Sequence, residues 1–186
     1  MAFPAFPALL DACVLIPYPL FDVLLRLADA GAYRPLWSAT ILDEVKRNCV
    51  GKLGLDAERV ASRIRDMRSA FPDAEVTGYE RLIESMGNHP KDRHVLAAAV
   101  VANADLIVTA NLKDFPDAAL APFGLGAIHP DDFLLDIHDL YPAATRAAIR
   151  DMLAANARPP GTVVELVEFL KPTVPRFAST MKGTLL

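Results

Sequence analysis

Cysteine is scarce: the 186 residues hold only Cys13 and Cys49, with neither the paired spacing of a zinc site nor the density of a disulfide scaffold. Both are expected as reduced core thiols. Long apolar runs are also missing. Although 53% of the residues are hydrophobic, every apolar stretch is broken by Asp, Arg or Pro before reaching the roughly 20 residues that a membrane span needs. The amino end, MAFPAFPALLDACVLIP, has no basic leader and is interrupted by Asp11 and three prolines. It does not read as a secretory signal, which places the chain in the cytoplasm. A net charge of −4 gives no uniformly basic surface for bulk nucleic-acid binding. The charge is polarised, however: between Glu44 and Arg68, seven basic residues stand against four acidic ones.

What is present is a recurring alternation of short apolar strands and amphipathic helices, the pattern of an α/β fold with a central parallel sheet flanked by helices. Residues 8–16 are almost continuously apolar, as expected of a strand buried on both faces, and end at Pro17 and Pro19. Helical spacing follows over 20–30, stopped by Gly31. Residues 33–37 read as a short strand or a loop entry, before a helix capped by Ser38 that runs to about Asn48. Asp56 caps the next helix, which extends to about Phe71. Residues 74–76 suit a brief edge strand, 79–86 a helix, 91–103 a helix, 106–109 a buried strand and 126–128 a last short strand. Three helices are expected over 130–140, 142–155 and 162–170, then an extended, mobile tail over 172–186. The division is thus a main domain over 1–130 and a helical extension with tail over 131–186.

Four carboxylates fall where such a sheet can gather them. Asp11 lies near the carboxyl end of the first strand, Glu44 on the helix capped by Ser38, Asp92 in the first turn of a helix, and Asp114 beyond the strand over 106–109. Ligands of open α/β sheets bind outside the carboxyl ends of the strands. Carboxylates brought together there repel one another unless a cation joins them, and hard ions such as Mg²⁺ favour oxygen ligands. Such an ion, with open water positions, suits phosphodiester hydrolysis. Read singly, Asp92 is also a favourable acid at a helix start, Asp114 an N-cap and Glu44 a solvated helix residue. Asp11 is different, because an acid inside an apolar strand must be paired or bound to metal. Other α/β chemistries fit less well: the first strand is followed by Pro-Tyr-Pro in place of a glycine-rich phosphate loop, and Cys13 stands where a haloacid-dehalogenase phosphatase needs its second acid.

The segments LLDACVLIP, ILDEVKRN and HPKDRHVLAAAVVANADLIVTANLKDFP, in this order and spacing across roughly residues 8–130, resemble the motifs of the PIN-domain family, most closely its bacterial branch of VapC-like toxins. The resemblance implies a PIN-like three-layer sandwich and Mg²⁺- or Mn²⁺-dependent RNA cleavage. It also implies that Asp11, Glu44, Asp92 and Asp114 form the catalytic quartet, with Asp11, Asp92 and Asp114 as metal ligands and with Asn111 and Thr109 in support. Many members have Asn where this chain has Cys13. Residues 131–186 lie outside the resemblance.

Phosphate contacts are expected from Lys46, Arg47, Arg59 and Arg63, the last two four apart on one helix, and from Lys91 and Arg93 beside Asp92. A solvated, ion-paired helix is the plain alternative for Arg59 and Arg63. His94 is expected as a structural or hydrogen-bonding residue more than as a catalytic base. The toxin-like resemblance implies a small antitoxin inserting a segment, with an Arg, near the acidic groove. The helices over 20–30 and 130–140 offer either a homodimer face or part of the core. The competing functional class is a non-catalytic PIN-fold module that binds metal or RNA.

Overall fold

The structure, a computed structural model, describes residues 5–155 and 159–185. The first four residues of the apolar amino end and Leu186 of the expected tail lie outside these. In chain order the elements begin with β1 (Pro7–Leu10), α1 (Ala12–Leu15), α2 (Leu20–Asp29), β2 (Arg34–Ser38), α3 (Ala39–Gly51), α4 (Ala57–Ala70) and β3 (Glu75–Val76). After 3₁₀ turns at Glu80–Ser85 and Pro90–Asp92 come α5 (Arg93–Val101) and β4 (Leu106–Val108). A 3₁₀ turn at Leu112–Asp114, α6 (Asp117–Leu120) and β5 (Gly126–Ile128) follow. The chain continues through α7 (Pro130–Leu140), α8 (Pro142–Ala155), α9 (Val163–Leu170) and α10 (Pro175–Leu185).

The five strands form one sheet in the order β3-β2-β1-β4-β5, and every pairing is parallel. Leu9 of β1 pairs with Leu36 on one side and Ile107 on the other. Central strands of this kind bury both faces, which is why β1 carries Ala8, Leu9 and Leu10 with no exposed surface at all. Helix α5 lies against β1, β2 and β4. Its run Val95–Ala99 is wholly buried, and three successive alanines allow the close approach.

Four sequence expectations are corrected. The strand expected over 8–16 ends at Leu10, and α1 starts after Asp11, whose carbonyl accepts the Val14 N–H at 3.1 Å. A short apolar run buried on all sides has no period that separates strand from helix. The tail expected to be extended and mobile instead forms α10 from Pro175: Phe177, Ala178 and Met181 are buried at helical spacing, and α10 packs on α9 and α7. Its start is held by Asp131 of α7, whose carboxylate accepts the N–H groups of Arg176 (3.1 Å) and Phe177 (2.8 Å). The expected helix over 79–86 takes the tighter 3₁₀ form, and the one over 91–103 begins with a 3₁₀ turn that ends at Asp92.

The extension joins the main core. Phe133 of α7 meets Tyr33 edge-on at 5.0 Å between ring centroids, and α8 packs along α2. Leu20, Val23, Leu24 and Leu27 of α2 are buried within the chain, as are Phe133, Leu134 and Ile137 of α7. Of the two uses foreseen for these apolar faces, the structure displays the core.

Candidate active site

The strand order places β1 and β4 side by side, while the chain leaves β1 towards β2 and leaves β4 towards β5. Diverging connections open a crevice at the carboxyl ends of those two strands. Asp11 and Thr109 are the first residues beyond each. The Asp11 N–H donates to the Val108 carbonyl at 3.1 Å, closing the sheet beneath the crevice. Asp11 occupies the position that would cap α1, yet its side chain caps nothing there. Instead its Oδ2 accepts the Thr109 hydroxyl at 2.7 Å and the Cys13 thiol at 3.1 Å. The Cys13 sulfur accepts the Ala110 N–H at 3.3 Å, and Thr109 Oγ1 accepts the Asn111 N–H at 3.1 Å. Burial first, and then the Asp11 charge, push the Cys13 thiol up to about 12, so it remains protonated and a donor. Cys13 is therefore part of the crevice, whereas Cys49 is the buried core cysteine that both were expected to be.

Helix α3 forms the second wall. Ser38 caps it, accepting the Ile41 N–H at 3.2 Å, and the helix presents Glu44 and Asn48 to the crevice. The His94 imidazole, with Nε2 at 3.6 Å from Glu44 Oε1, draws the Glu44 carboxyl below its usual range; burial opposes this, and Arg47 and Lys91 add to it. That distance is longer than a normal hydrogen bond, and both His94 ring nitrogens are buried without a hydrogen-bond partner.

Asp92 stands between the walls, 8% exposed. Its carboxyl is raised, mainly by burial and then by the charges of Asp11 and Asp114, with a smaller push from Glu44 and relief from Lys91. The other three expected acids thus all act on Asp92. Asp11, Glu44 and Asp92 line a cavity of about 450 Å³, with Arg47, Lys52 and Lys91 at the same walls. One ligand atom each from His89, Asp92 and Asp114 fall within 4.8 Å of one another.

The PIN-domain family profile matches residues 7–113, which contain the strand ends, α3 and α5 just described. The chain belongs to the PIN-domain family. The segment outside the PIN resemblance matches a profile of its own, the VapC50 C-terminal domain, over residues 130–183. A protein of Mycobacterium tuberculosis (strain ATCC 25618 / H37Rv) named "Putative ribonuclease VapC50" is 56% identical over 102 residues. That alignment covers 55% of this chain and 60% of the relative. No solved structure matches.

The basic residues of this PIN domain separate into groups. Arg47 and Lys91 reach the acidic cavity, Arg47 pairing with Glu44 at 3.4 Å. Lys46 lies on the neighbouring face of α3, near Asp43. Arg59 is exposed on α4, while Arg63 turns inward: it donates to the Leu15 carbonyl at 2.8 Å and stacks over the Phe21 ring at 4.1 Å. The two arginines therefore do not present a joint face. Arg93 sits 4.0 Å from Glu84 and donates to the Asn88 carbonyl at 3.5 Å. Asn111 lines the PIN cavity, and its hydrogen bond to Thr109 comes from the backbone N–H. Lys52, counted in the basic segment, also lines the cavity, whereas sequence reasoning passed over Asn48 and His89. His89 precedes Asp92 by three residues, a spacing that was legible; Asn48 depends on how α3 is rotated.

Proposed function

We propose that this PIN protein is a metal-dependent endoribonuclease that hydrolyses RNA phosphodiester bonds in the cytoplasm, and that it is the toxin of a toxin–antitoxin pair. The observation that carries the reading is Asp92: a buried carboxyl at the crevice of the sheet, raised first by its burial and then by the neighbouring acids. An all-oxygen set of acids whose charges oppose each other fits a hard divalent ion, Mg²⁺ or Mn²⁺. Asp11, Asp92 and Asp114 would hold it. When bound, the ion supplies Lewis-acid charge to a phosphate oxygen and acidifies water.

The remaining work falls to the protein's own groups. Thr109 and Cys13 orient the Asp11 carboxylate. Glu44, kept ionised, serves as a further ligand or as the base that takes the proton of the attacking water onto its carboxylate. Arg47, Lys52 and Lys91 offset the acidic walls and draw in the RNA backbone; Lys46, Arg59 and Arg93 extend the basic surface. The nuclease unit is taken as 1–130, with 131–186 as its helical extension. The name of the M. tuberculosis relative supports ribonuclease activity, and the VapC50 C-terminal match supports a toxin of that type. A small antitoxin would then be the partner, covering the acidic groove with an Arg-bearing segment.

The test compares wild type with Asp92→Asn on structured and single-stranded RNAs with Mg²⁺, Mn²⁺ or chelator. Cleavage that needs metal and is lost in the variant is expected. Metal binding with no cleavage of any RNA would favour the non-catalytic module instead, and equal cleavage by both proteins would mark a contaminant.

A further inference from the structure

Resting on the reading of the crevice as a metal centre, the geometry points to His89 as a nitrogen ligand, which makes the Asp92–Asp114 side of the centre a mixed nitrogen–oxygen position that prefers a first-row transition dication to Mg²⁺.

Three observations carry this. The ligand atoms of His89, Asp92 and Asp114 all lie within 4.8 Å of each other, and His89 Nδ1 is 3.5 Å from Asp92 Oδ2. Two ligands about 2.1 Å from one ion stand roughly 3 to 4.2 Å apart, so this spacing admits an ion with small adjustment. Next, the backbone holds the three residues together independently of their side chains: the His89 N–H donates to the Asp114 carbonyl at 3.3 Å and the Asp92 N–H to the His89 carbonyl at 2.9 Å. Loop and turn are thereby joined on either side of the candidate position. Finally, the Asp92 side chain is 11% exposed and lines the cavity, and among the described residues its carboxylate accepts no hydrogen bond and is paired with the His89 ring alone. A buried carboxylate so poorly supplied with donors calls for a cation.

The side chain of His89 is half exposed, which leaves the ion a route from solvent and leaves its neutral imidazole available. Imidazole favours transition ions, whereas carboxylates alone accept Mg²⁺ equally well. Asp92 then faces two environments, the oxygen-only cavity shared with Asp11 and Glu44 and the mixed position shared with His89 and Asp114.

The test is a Mn²⁺ titration of metal-free, full-length protein, followed by the EPR signal of the free ion, with pulsed EPR of the bound ion to detect nitrogen coupling. Wild type should show ¹⁴N coupling that persists in His94→Gln. His89→Ala, an exposed site that should not disturb folding, should lose the coupling and bind Mn²⁺ about tenfold more weakly, the loss that even an outer partner of a ligand typically causes. Its Mg²⁺ affinity, read by competition, should change less. Bound Mn²⁺ without nitrogen coupling in wild type, or coupling that survives His89→Ala, overturns the assignment while leaving an oxygen-only centre intact. Wild type that binds no Mn²⁺ at all overturns the metal centre itself, and this assignment with it.

Discussion

Thr109 shows how one hydroxyl can orient a buried carboxylate. It is fully buried, donates to Asp11 at 2.7 Å and accepts the Asn111 N–H. Thr109→Val keeps the shape and removes the donor, and a hydrogen bond to a charged group is worth about 1.5–3 kcal/mol. RNA cleavage should fall about 10- to 100-fold, with an unchanged far-UV spectrum, as measured in initial rates at saturating metal. Arg63 is the opposite case, a basic residue that looked suited to phosphate and is used for packing. Its guanidinium spans Leu15, Cys49 and Phe21. Arg63→Ala should destabilise the fold by about 1–3 kcal/mol in urea unfolding, while RNA affinity changes little. A normal unfolding midpoint with a large loss of RNA binding would reverse that assignment. The support from Thr109 was implied by the resemblance, but its hydroxyl bond to Asp11 and the packing of Arg63 depend on contacts between residues tens of positions apart.

Elements were legible where a local chemical signal marked an end. Ser38 and Asp56 cap α3 and α4 as their positions suggested, each side chain accepting the N–H three residues on. The strands β2, β3, β4 and β5 fall within a residue or two of their expected places. The errors occur where local signals are silent. The junction of β1 and α1 is a uniformly apolar run, and α10 follows prolines that suggested an extended chain, although Pro at a helix start is compatible with helix. What stabilises α10 is distant: the carboxylate of Asp131, 5% exposed, supplies the cap from α7. Asp131→Ala leaves two N–H groups without their acceptor and should cost about 2–3 kcal/mol. Hydrogen exchange should then show α10 opening before the sheet.

At the scale of the molecule, the acidic crevice sets stability against function. Asp92 has a raised carboxyl in the fold, so its contribution is most favourable below the unfolded carboxylate value near ~3.9 and is lost as pH rises through its folded value. Glu44, lowered by His94, works the other way: its contribution is present above ~4.3 and is lost as pH falls through its folded value. The burial and the acids that raise Asp92 disfavour its charged form. Metal-free Asp92→Asn should therefore melt higher than wild type in calorimetry at pH 7, with the gap closing towards pH 4. Mg²⁺ or Mn²⁺ at about 100 times its Kd should stabilise wild type by about 2.7 kcal/mol and the variant by much less. A wild type whose melting ignores both ions would contradict the metal centre.

The class of fold, most element positions and the four candidate acids were legible in the residues alone, because strand burial, helix caps and an acid in an apolar run are local facts with few physical solutions. Which groups meet is an outcome of packing: His89 joins Asp114, Arg47 joins Glu44, Arg63 turns inward, and the last helix packs against α7 and α9. Those outcomes depend on strand order and helix rotation, and these are set by the packing of the whole chain.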